Sequence, residues 1–414
     1  MARIKTYLQE NLLTANLLNR TAAQEAKCDK SGGHPVAELD ENHLLEALAW
    51  LMRAHNAMPY GGLSRGYSFG WNPYFPKRGW QPAHPKTTGG VIPTLFDSSV
   101  ALGREDLRQT AIGLANWLVK IQMPSGAIRG GALDEPPSSE ILNTAQAIIG
   151  WTRAFQETQT EWYAEAARRA SDFLLQLHDP EYPRGSDPSL SAGEDSIVCR
   201  SRAGWALIQV GIVLEEYQYC AAGDKDVLLC LQRQQPNGWF GDSQPNASDS
   251  SLVQTIAHCL EGILQSSLIL DNKRYFNSAK KTADALLSLI RDDGSLSGLF
   301  TSDWTPQASW SCLLGDALMA SIWLKLHGLT GNKTYLKAAH RMIVFLKKTQ
   351  NCTTTHPGLR GGIKGSFPCD GEFGRYQTLS AGSKYFIDSL LSLAQVLQAQ
   401  PPASSLPVSS RSSR

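Results

Sequence analysis

The chain has 414 residues, of which 42% are hydrophobic and 19% charged, and its formal net charge is +1. This composition is typical of a globular protein with a large core, and the near-neutral charge argues against a nucleic-acid-binding surface. No apolar run approaches the length needed to span a bilayer, and the first residues lack the continuous apolar core of a secretory signal. We therefore expect no membrane span and a cytoplasmic location.

The eight cysteines have no CxxC or other ligand-type spacing, which favours free thiols over disulfides. His258 and Cys259 are adjacent, but neighbours on a helix point about 100° apart. We therefore predict neither a metal site nor a cofactor.

In chain order, residues 1–40 are predicted to form an N-terminal helix and a linker, with the linker over 28–40. Residues 41–397 are predicted to form the folded domain, beginning with an amphipathic helix over 41–55. Residues 398–414 are rich in proline and serine and are predicted to be a disordered tail.

The domain contains an internal repeat with two independent markers. Three similar segments carry Tyr163, Tyr275 and Tyr335, and the first gap is about twice the second, as if one unit had been skipped. The spacing gives a repeat unit of about 56 to 60 residues, and a fixed period of this kind is the sequence signature of a repeat architecture. The skipped unit, which we place near Gly223, is degenerate. A second marker, the turn glycines, keeps the same step: Gly126 and Gly238 are two units apart, and Gly294 follows one unit later.

Each unit combines one amphipathic helix with one helix that is apolar nearly all round, which predicts an outer and an inner helix. The predicted inner helices are 91–103, 139–157, 195–217, 249–267, 308–328 and 376–396. The last of them lacks a following partner and the helix over 41–55 lacks a preceding one. Pairing the two closes twelve helices into an all-α (α/α)6 toroid, with an open solenoid as the alternative.

The connections from outer to inner helices are long and the reverse connections are short. Since helix direction alternates, all long loops gather on one face, at the N-terminal ends of the inner helices. Loops of this kind often carry function, and helix N-termini favour anionic groups.

Aromatic residues are abundant in these loops and suit the apolar faces of sugar rings. About half of them are expected to pack loop against loop. The aromatic residues predicted to bind substrate are Trp80, Trp239, Trp310 and Tyr376.

The catalytic candidates lie near the starts of the inner helices or inside them. The carboxylates are Glu140, Asp195 and Asp249, although capping of a helix is the commoner role for such residues. His258 lies roughly 14 Å into an apolar helix, and Lys384 lies at a similar depth in another. His258 is either a general base that lines the ring cavity or a core histidine.

Three further cations near the loop face would suit a carboxylated substrate, namely Arg200, Arg202 and Arg375. Of these, Arg200 and Arg375 are predicted to bind it.

The turn QQPNGWFG, over residues 234–241, resembles the QW-type turns of triterpene cyclases, within the six-hairpin glycosidase-like and terpenoid-cyclase-like toroids. The DxDD acid motif of those cyclases and the zinc-ligand pattern of protein prenyltransferases are absent from the sequence. The resemblance therefore implies the fold and not those activities.

A closer similarity is to an uncharacterised bacterial toroid family found in exopolysaccharide and capsule gene clusters. It is carried by residues 79–97, 309–331 and 360–390. The chain differs at Gln254–His258, where that family tends to have His-Thr-Ile-Ala-Tyr. The similarity implies a role with surface polysaccharide and an oligo- or polysaccharide as the partner.

The leading hypothesis is thus a carbohydrate-active enzyme acting on an acidic glycan. It would be a hydrolase with paired carboxylates, or a lyase or epimerase with His258, a tyrosine or Lys384 removing a proton. The alternatives are a non-catalytic glycan-binding or assembly protein and a cyclase-like protein that binds an isoprenoid.

Overall fold

The computed structural model describes residues 19–36, 39–72, 78–130, 140–178, 196–241 and 250–399. The predicted disordered tail lies outside the described residues from position 400 onward.

Helices dominate the described chain. The inner helices are α3 (Pro85–Leu102), α5 (Ile141–Thr158), α7 (Ile197–Val213), α9 (Val253–Ile269), α11 (Leu313–Thr330) and α13 (Ser380–Gln398). The outer helices are α2 (Asp40–Asn56), α4 (Glu105–Ile121), α6 (Glu161–Gln176), α8 (Tyr217–Gln232), α10 (Lys273–Leu287) and α12 (Lys333–Thr349). A short helix, α1 (Arg20–Lys30), precedes them.

The inner helices form a closed ring. Each contacts the next in chain order, and α13 contacts both α11 and α3. The first outer helix, α2, packs on α13, the last inner one. The predicted (α/α)6 toroid is confirmed, and the open-solenoid alternative is wrong.

The tyrosine marker has a structural role between neighbouring outer helices. In each case the hydroxyl donates to a side chain of the preceding outer helix: Tyr163 to Asn116, Tyr219 to Asp172, Tyr275 to Asp224 and Tyr335 to Asp284. The degenerate unit therefore starts at α8, with Tyr219, rather than near Gly223. Tyr219 stands midway between Tyr163 and Tyr275 in the sequence and was hidden by the poor match of its neighbours.

The turn glycines lie where the chain leaves an outer helix and touches the next one. The turn contacts pair Gly126 with Arg169, Gly238 with Lys281, Gly294 with Arg341 and Gly361 with Glu46. The last of these contacts returns to α2, so the turn after the final outer helix also closes the ring.

Short antiparallel strands tie the long loops together. The strands are β1 (Gly66–Ser68), β2 (Gly79–Trp80), β3 (Ser250–Leu252), β4 (Leu299–Thr301), β5 (Ser311–Cys312), β6 (Ser366–Phe367) and β7 (Gln377–Leu379). They pair as β2-β1-β7, β3-β4 and β5-β6. In the first sheet Tyr67 faces both Trp80 and Thr378, which joins the loop before α3 to the loop before α13.

All eight cysteines lie in the described residues and are free. No described helix is both long enough and apolar enough to cross a membrane.

Candidate functional site

Equivalent positions of the repeat meet around the ring axis. Gly90, Gln146, Arg202 and His258 follow one another at steps of one repeat unit, one on each of four successive inner helices. All four line one or both of the cavities that open along the axis. The repeat therefore stacks side chains in layers, and each layer collects one residue from several inner helices.

The first cavity lies on the loop face, at the N-terminal ends of the inner helices, and has a volume of about 540 Å³. Its polar lining includes Arg65, His84, Lys86, Glu140, Asn143, Gln146, Gln254, His258, Glu372, Gln377, Lys384 and Tyr385. Half-buried Trp310 is its aromatic wall. The position agrees with the prediction that the long loops surround the site.

His258 lies at the base of this cavity, nearly buried and with its ring 5.5 Å from that of Tyr385. Burial lowers the pKa of His258 well below its ordinary value, and the charges of Arg202, Lys86 and Lys384 add to this effect. The imidazole is therefore neutral near pH 7 and can accept a proton.

Two lysines flank His258, and they differ in their pairing. Lys384 Nζ lies 2.7 Å from Asp388 Oδ2 and 3.8 Å from the centre of the Tyr385 ring. Lys86, on α3, has no ion-pair partner among the described residues. Burial and the charge of Arg202 lower the pKa of Lys86, and the charge of Glu140 opposes the shift.

A second imidazole, that of His84, lines the same cavity from the N-cap of α3. Burial, with the charges of Arg65 and Lys86, lowers the pKa of His84 to about 3. The cavity thus holds two neutral histidines, on α9 and at the start of α3.

Glu140 is the N-cap residue of α5, and its carboxyl group lines the cavity. Burial raises its pKa, against the opposing charges of Lys86 and Arg65 and a hydrogen bond with Asn143. A carboxyl group in this setting can act as a proton donor. Glu372 stands on the same lining but is exposed.

Four of the predicted site residues are brought together in the first cavity: Glu140, His258, Lys384 and Trp310. Asp195 and Asp249 lie outside the described residues.

Two of the predicted tryptophans pack elsewhere, without lining either cavity. Trp80 stacks against Trp50 and Tyr67, with ring centres 5.3 and 5.1 Å away. Trp239 is buried with its ring 5.1 Å from Trp304. Both take the loop-packing role expected for about half of these aromatics.

The other predicted binding residues are also absent from the cavity lining. Arg200 Nη1 lies 3.0 Å from Asp226 Oδ1 on α8, so it faces an outer helix. Arg375 Nε donates to the carbonyl of Asp370 at 2.9 Å. Tyr376 is buried against Phe69. The arginine of α7 that faces the ring axis is Arg202, two residues after Arg200.

Sequence reasoning missed several lining residues, including Arg65, His84, Lys86, Gln146 and Tyr385. The repeat contains the signal for two of them. Gln146 stands two repeat units before His258. Lys86 likewise stands three units before Gln254.

Among the described residues, Glu25, Asp29 and His34 form one group with metal-ligand spacing. It lies outside the cavity, and Lys364 Nζ lies 2.5 Å from Asp29 and 3.2 Å from Glu25. The group is therefore an ion-paired cluster with the lysine as its cation.

The fold and this axial cavity define the class as (α/α)6 toroid proteins. No family model and no curated protein matches the sequence. Solved structures do match over 85–87% of this chain.

An unsaturated glucuronyl hydrolase specific for heparin is similar at a TM-score of 0.66 and 15% identity, with 87% of this chain and 98% of the other covered. Cellobiose 2-epimerase from Bacillus thermoamylovorans B4167 gives 0.67 and 12%, with 85% and 97% covered. D-mannose isomerase gives 0.66 and 13%, with 87% and 100% covered. At these identities the likeness establishes the fold.

Proposed function

We propose that the protein is a carbohydrate-active enzyme that removes a proton next to the carboxylate of a uronic-acid-type glycan. The observation that carries the proposal is the cavity base, where neutral His258 is surrounded by Lys86, Lys384 and Arg202. The names of the similar structures, which include hydrolases, an epimerase and an isomerase of sugars, support a saccharide as the substrate.

The cations of the cavity are the reason for proposing an acidic substrate. Lys86 is the cavity cation without an ion-pair partner among the described residues, so a substrate carboxylate would relieve its unfavourable burial. The N-terminal ends of the inner helices add partial positive charge at the same mouth. Trp310 offers a flat apolar wall for the C–H face of a sugar ring.

Neutral His258 would take the proton from the carbon bonded to the carboxylate. The electron pair of the broken C–H bond then forms a C=C bond to the carboxylate carbon, and the negative charge on its oxygens is stabilised by Lys86 and Lys384. Return of a proton to the other face, from water or from protonated Glu140, gives epimerisation. Departure of the substituent on the next carbon, aided by a proton from Glu140, gives elimination.

Hydrolysis is the second candidate, because the raised pKa of Glu140 suits a general acid. It needs a second carboxylate facing the same sugar bond, for which Asp195, Asp249 and exposed Glu372 are the candidates. The ionisable groups at the cavity base argue against an isoprenoid ligand.

The test is deuterium incorporation in D2O with oligosaccharides of glucuronate, galacturonate and mannuronate. We expect deuterium on the carbon next to the carboxylate, detected by mass spectrometry and NMR, with absorbance at about 235 nm if elimination follows. New reducing ends with neither deuterium nor absorbance at about 235 nm would establish hydrolysis instead. Neither exchange, cleavage nor a thermal shift with any of these compounds would refute the proposal.

Variants separate the roles. His258→Gln is expected to slow exchange by about 100-fold or more, as for loss of a general base. Lys86→Met should raise KM for the acidic substrate and also lower kcat, because Lys86 binds the carboxylate and stabilises the charge that develops on it. His340→Gln is the matched control, because His340 is exposed on outer helix α12 and should leave the rate unchanged.

The pH profile gives a further check on His258. Since its pKa is lowered, the base remains deprotonated below the ordinary histidine value of about 6.5. Activity should therefore persist as pH falls through 6.5. A rate that falls with an apparent pKa of about 6.5 would show that a normally titrating histidine is the base.

A further inference from the structure

A second cavity opens on the opposite face of the ring, at the C-terminal ends of the inner helices. Its volume is also about 540 Å³. Gly90, Gln146, Lys384 and Tyr385 line both cavities and so form the partition between them. The hydroxyl of Tyr385 accepts a hydrogen bond from Arg202 Nη2 at 2.6 Å, which fixes this partition in place.

The wall of the second cavity is polar and follows the repeat. One layer is built from equivalent positions on five successive inner helices. Three of the steps between these positions equal one repeat unit and the fourth is slightly longer. The members of the layer are Asp97, Arg153, Gln209, Gln265 and Lys325. Further glutamines and serines extend this lining, namely Gln156, Gln395, Ser321 and Ser392. A space plugged only for stability would be expected to hold apolar side chains packed to interior density.

The three carboxylates that line this cavity are all paired with cations. Asp97 Oδ1 lies 2.7 Å from Arg153 Nη2, and Asp388 Oδ2 lies 2.7 Å from Lys384 Nζ. Glu261 Oε2 lies 2.6 Å from Arg202 Nη1.

Lys325 is the exception among the charged groups of the second cavity. It has no ion-pair or hydrogen-bond partner within the described part of the chain. Burial lowers its pKa, although the charges of Glu261 and Asp388 oppose the shift. A cation withdrawn from water in this way is stabilised by an anion that enters the cavity.

A second orphaned group lies in the same layer. Gln209 Oε1 is buried and accepts no hydrogen bond from any described residue. A buried acceptor without a donor costs free energy, and a ligand hydroxyl would supply the missing donor once the Gln209 amide turns toward the cavity. The ring of Trp205, also on this wall, offers an apolar face for a sugar.

We propose that the second cavity is a separate binding site for a small hydroxylated anion, a monosaccharide carrying one carboxylate or phosphate group. Lys325 binds the charged group, Gln209 accepts from a hydroxyl, and the other glutamines bind the remaining hydroxyls. The site does not depend on the reaction proposed for the first cavity.

The test is calorimetric titration with glucuronate, glucose 6-phosphate and neutral methyl glucoside. All proteins carry Lys86→Met, which weakens anion binding in the first cavity. We expect one site for at least one of the two anions and binding of methyl glucoside at least about tenfold weaker, since it lacks the charge. Whichever of glucuronate and glucose 6-phosphate binds more tightly shows whether the site prefers a carboxylate or a phosphate group.

Adding Lys325→Met should weaken the anion by about 10- to 100-fold, the loss typical of a charge-assisted contact. Gln209→Leu should weaken it by about 5- to 10-fold, and Lys333→Met, at an exposed position on α12, should not change it. The unliganded Lys325→Met protein should unfold at or above the parent temperature, because the variant removes an unpaired buried cation.

The proposal is overturned if neither anion binds at millimolar concentration, or if Lys325→Met and Lys333→Met bind the anion equally. If Lys325→Met does not fold, Gln209→Leu decides alone, and unchanged affinity in that variant overturns the proposal. Deuterium exchange in the first cavity is measured separately, so the failure of one proposal does not decide the other.

Discussion

Asp316 is a fully buried carboxyl group in the first turn of inner helix α11. Neither of its oxygens accepts a hydrogen bond of ordinary geometry from a described residue, and the Leu296 backbone is the nearest donor. Burial raises the pKa of Asp316 well above its ordinary value, against the opposing effects of the Leu296 backbone and the Arg291 charge. The folded protein therefore holds this carboxyl group protonated at a pH where the unfolded chain has lost the proton.

Because the folded state binds the extra proton, Asp316 reduces stability as pH rises above its unfolded value of about 4. Asp316→Asn keeps the shape and removes the titration. We expect the variant to unfold about 1–3 °C higher than the wild type at pH 8 and with a smaller difference at pH 5. Differential scanning calorimetry at the two pH values measures this. A variant that is less stable by the same amount at both would show that the carboxyl group has a structural partner.

At the residue scale, the sequence predicts side chains on helices better than side chains on loops. His258 and Lys384 line the cavity, as expected from their depth in apolar helices whose phase the repeat determines. Trp80 and Trp239 do not, because no periodicity indicates whether a loop aromatic faces the cavity or another loop. Arg200 and Arg202 differ by about 200° around α7, and only the register with His258 distinguishes them.

The short helix α1 is held against the loop before α13 by a buried polar cluster. Lys364 Nζ lies 2.5 Å from Asp29 and 3.2 Å from Glu25, and Asn351 donates to Glu25. Burial alone would raise the pKa of Glu25, but the hydrogen bond with His34 and the charge of Lys364 outweigh it and lower that pKa to about 2. At neutral pH Glu25 is therefore ionised, while burial raises the pKa of Asp29, and both carboxyl groups depend on the single cation of Lys364.

Lys364→Met should release α1 while the ring stays folded. Removing one partner of a buried ion pair costs about 3–5 kcal/mol, because the remaining charges are left uncompensated. We expect amide hydrogen exchange in residues 20–30 to rise by about 100-fold or more, with little change in α9 or α11. Lys333→Met, which removes an exposed lysine, is the control. Unchanged protection of α1 would mean that apolar contacts alone hold the helix.

At the element scale, the apolar periodicity predicts every inner and outer helix, but several starts are wrong. Inner helix α11 begins at Leu313 instead of 308, and α13 begins at Ser380 instead of 376. The residues before them include the strands Ser311–Cys312 and Gln377–Leu379, which pair with other loops. Tertiary pairing of this kind overrides local propensity and cannot be predicted from a single segment.

At the scale of the whole molecule, one register explains both the ring and its two cavities. Steps of one repeat unit bring Gly90, Gln146, Arg202 and His258 into one layer across the axis. The repeat was detectable because its tyrosine and glycine each make a contact that recurs between neighbouring units. The repeat predicts which positions face the cavities. It does not predict the chemistry of the lining, because the residue types at these positions differ from unit to unit.

Closure of the ring depends on the turn that returns to the first outer helix. Gly361 has a φ of 78°, and a Cβ added there would overlap the carbonyl oxygen of Glu46 on α2. Gly238, in an equivalent turn inside the ring, has a φ of 90°, but its Cβ would lie 3.2 Å from Lys281. Alanine is disfavoured at both positions because of the positive φ. Of the two, Gly361 alone would also place its Cβ against a backbone oxygen, that of Glu46 at the closing contact.

We therefore expect Gly238→Ala to lower the free energy of unfolding by about 1 kcal/mol, and Gly361→Ala by about 2–4 kcal/mol. Urea unfolding followed by circular dichroism compares the two. Hydrogen exchange should place the extra loss in α2 and α13, the pair that joins the ends of the ring. Equal losses in the two variants would mean that the chain relaxes to relieve the added clash with Glu46 at the closing contact.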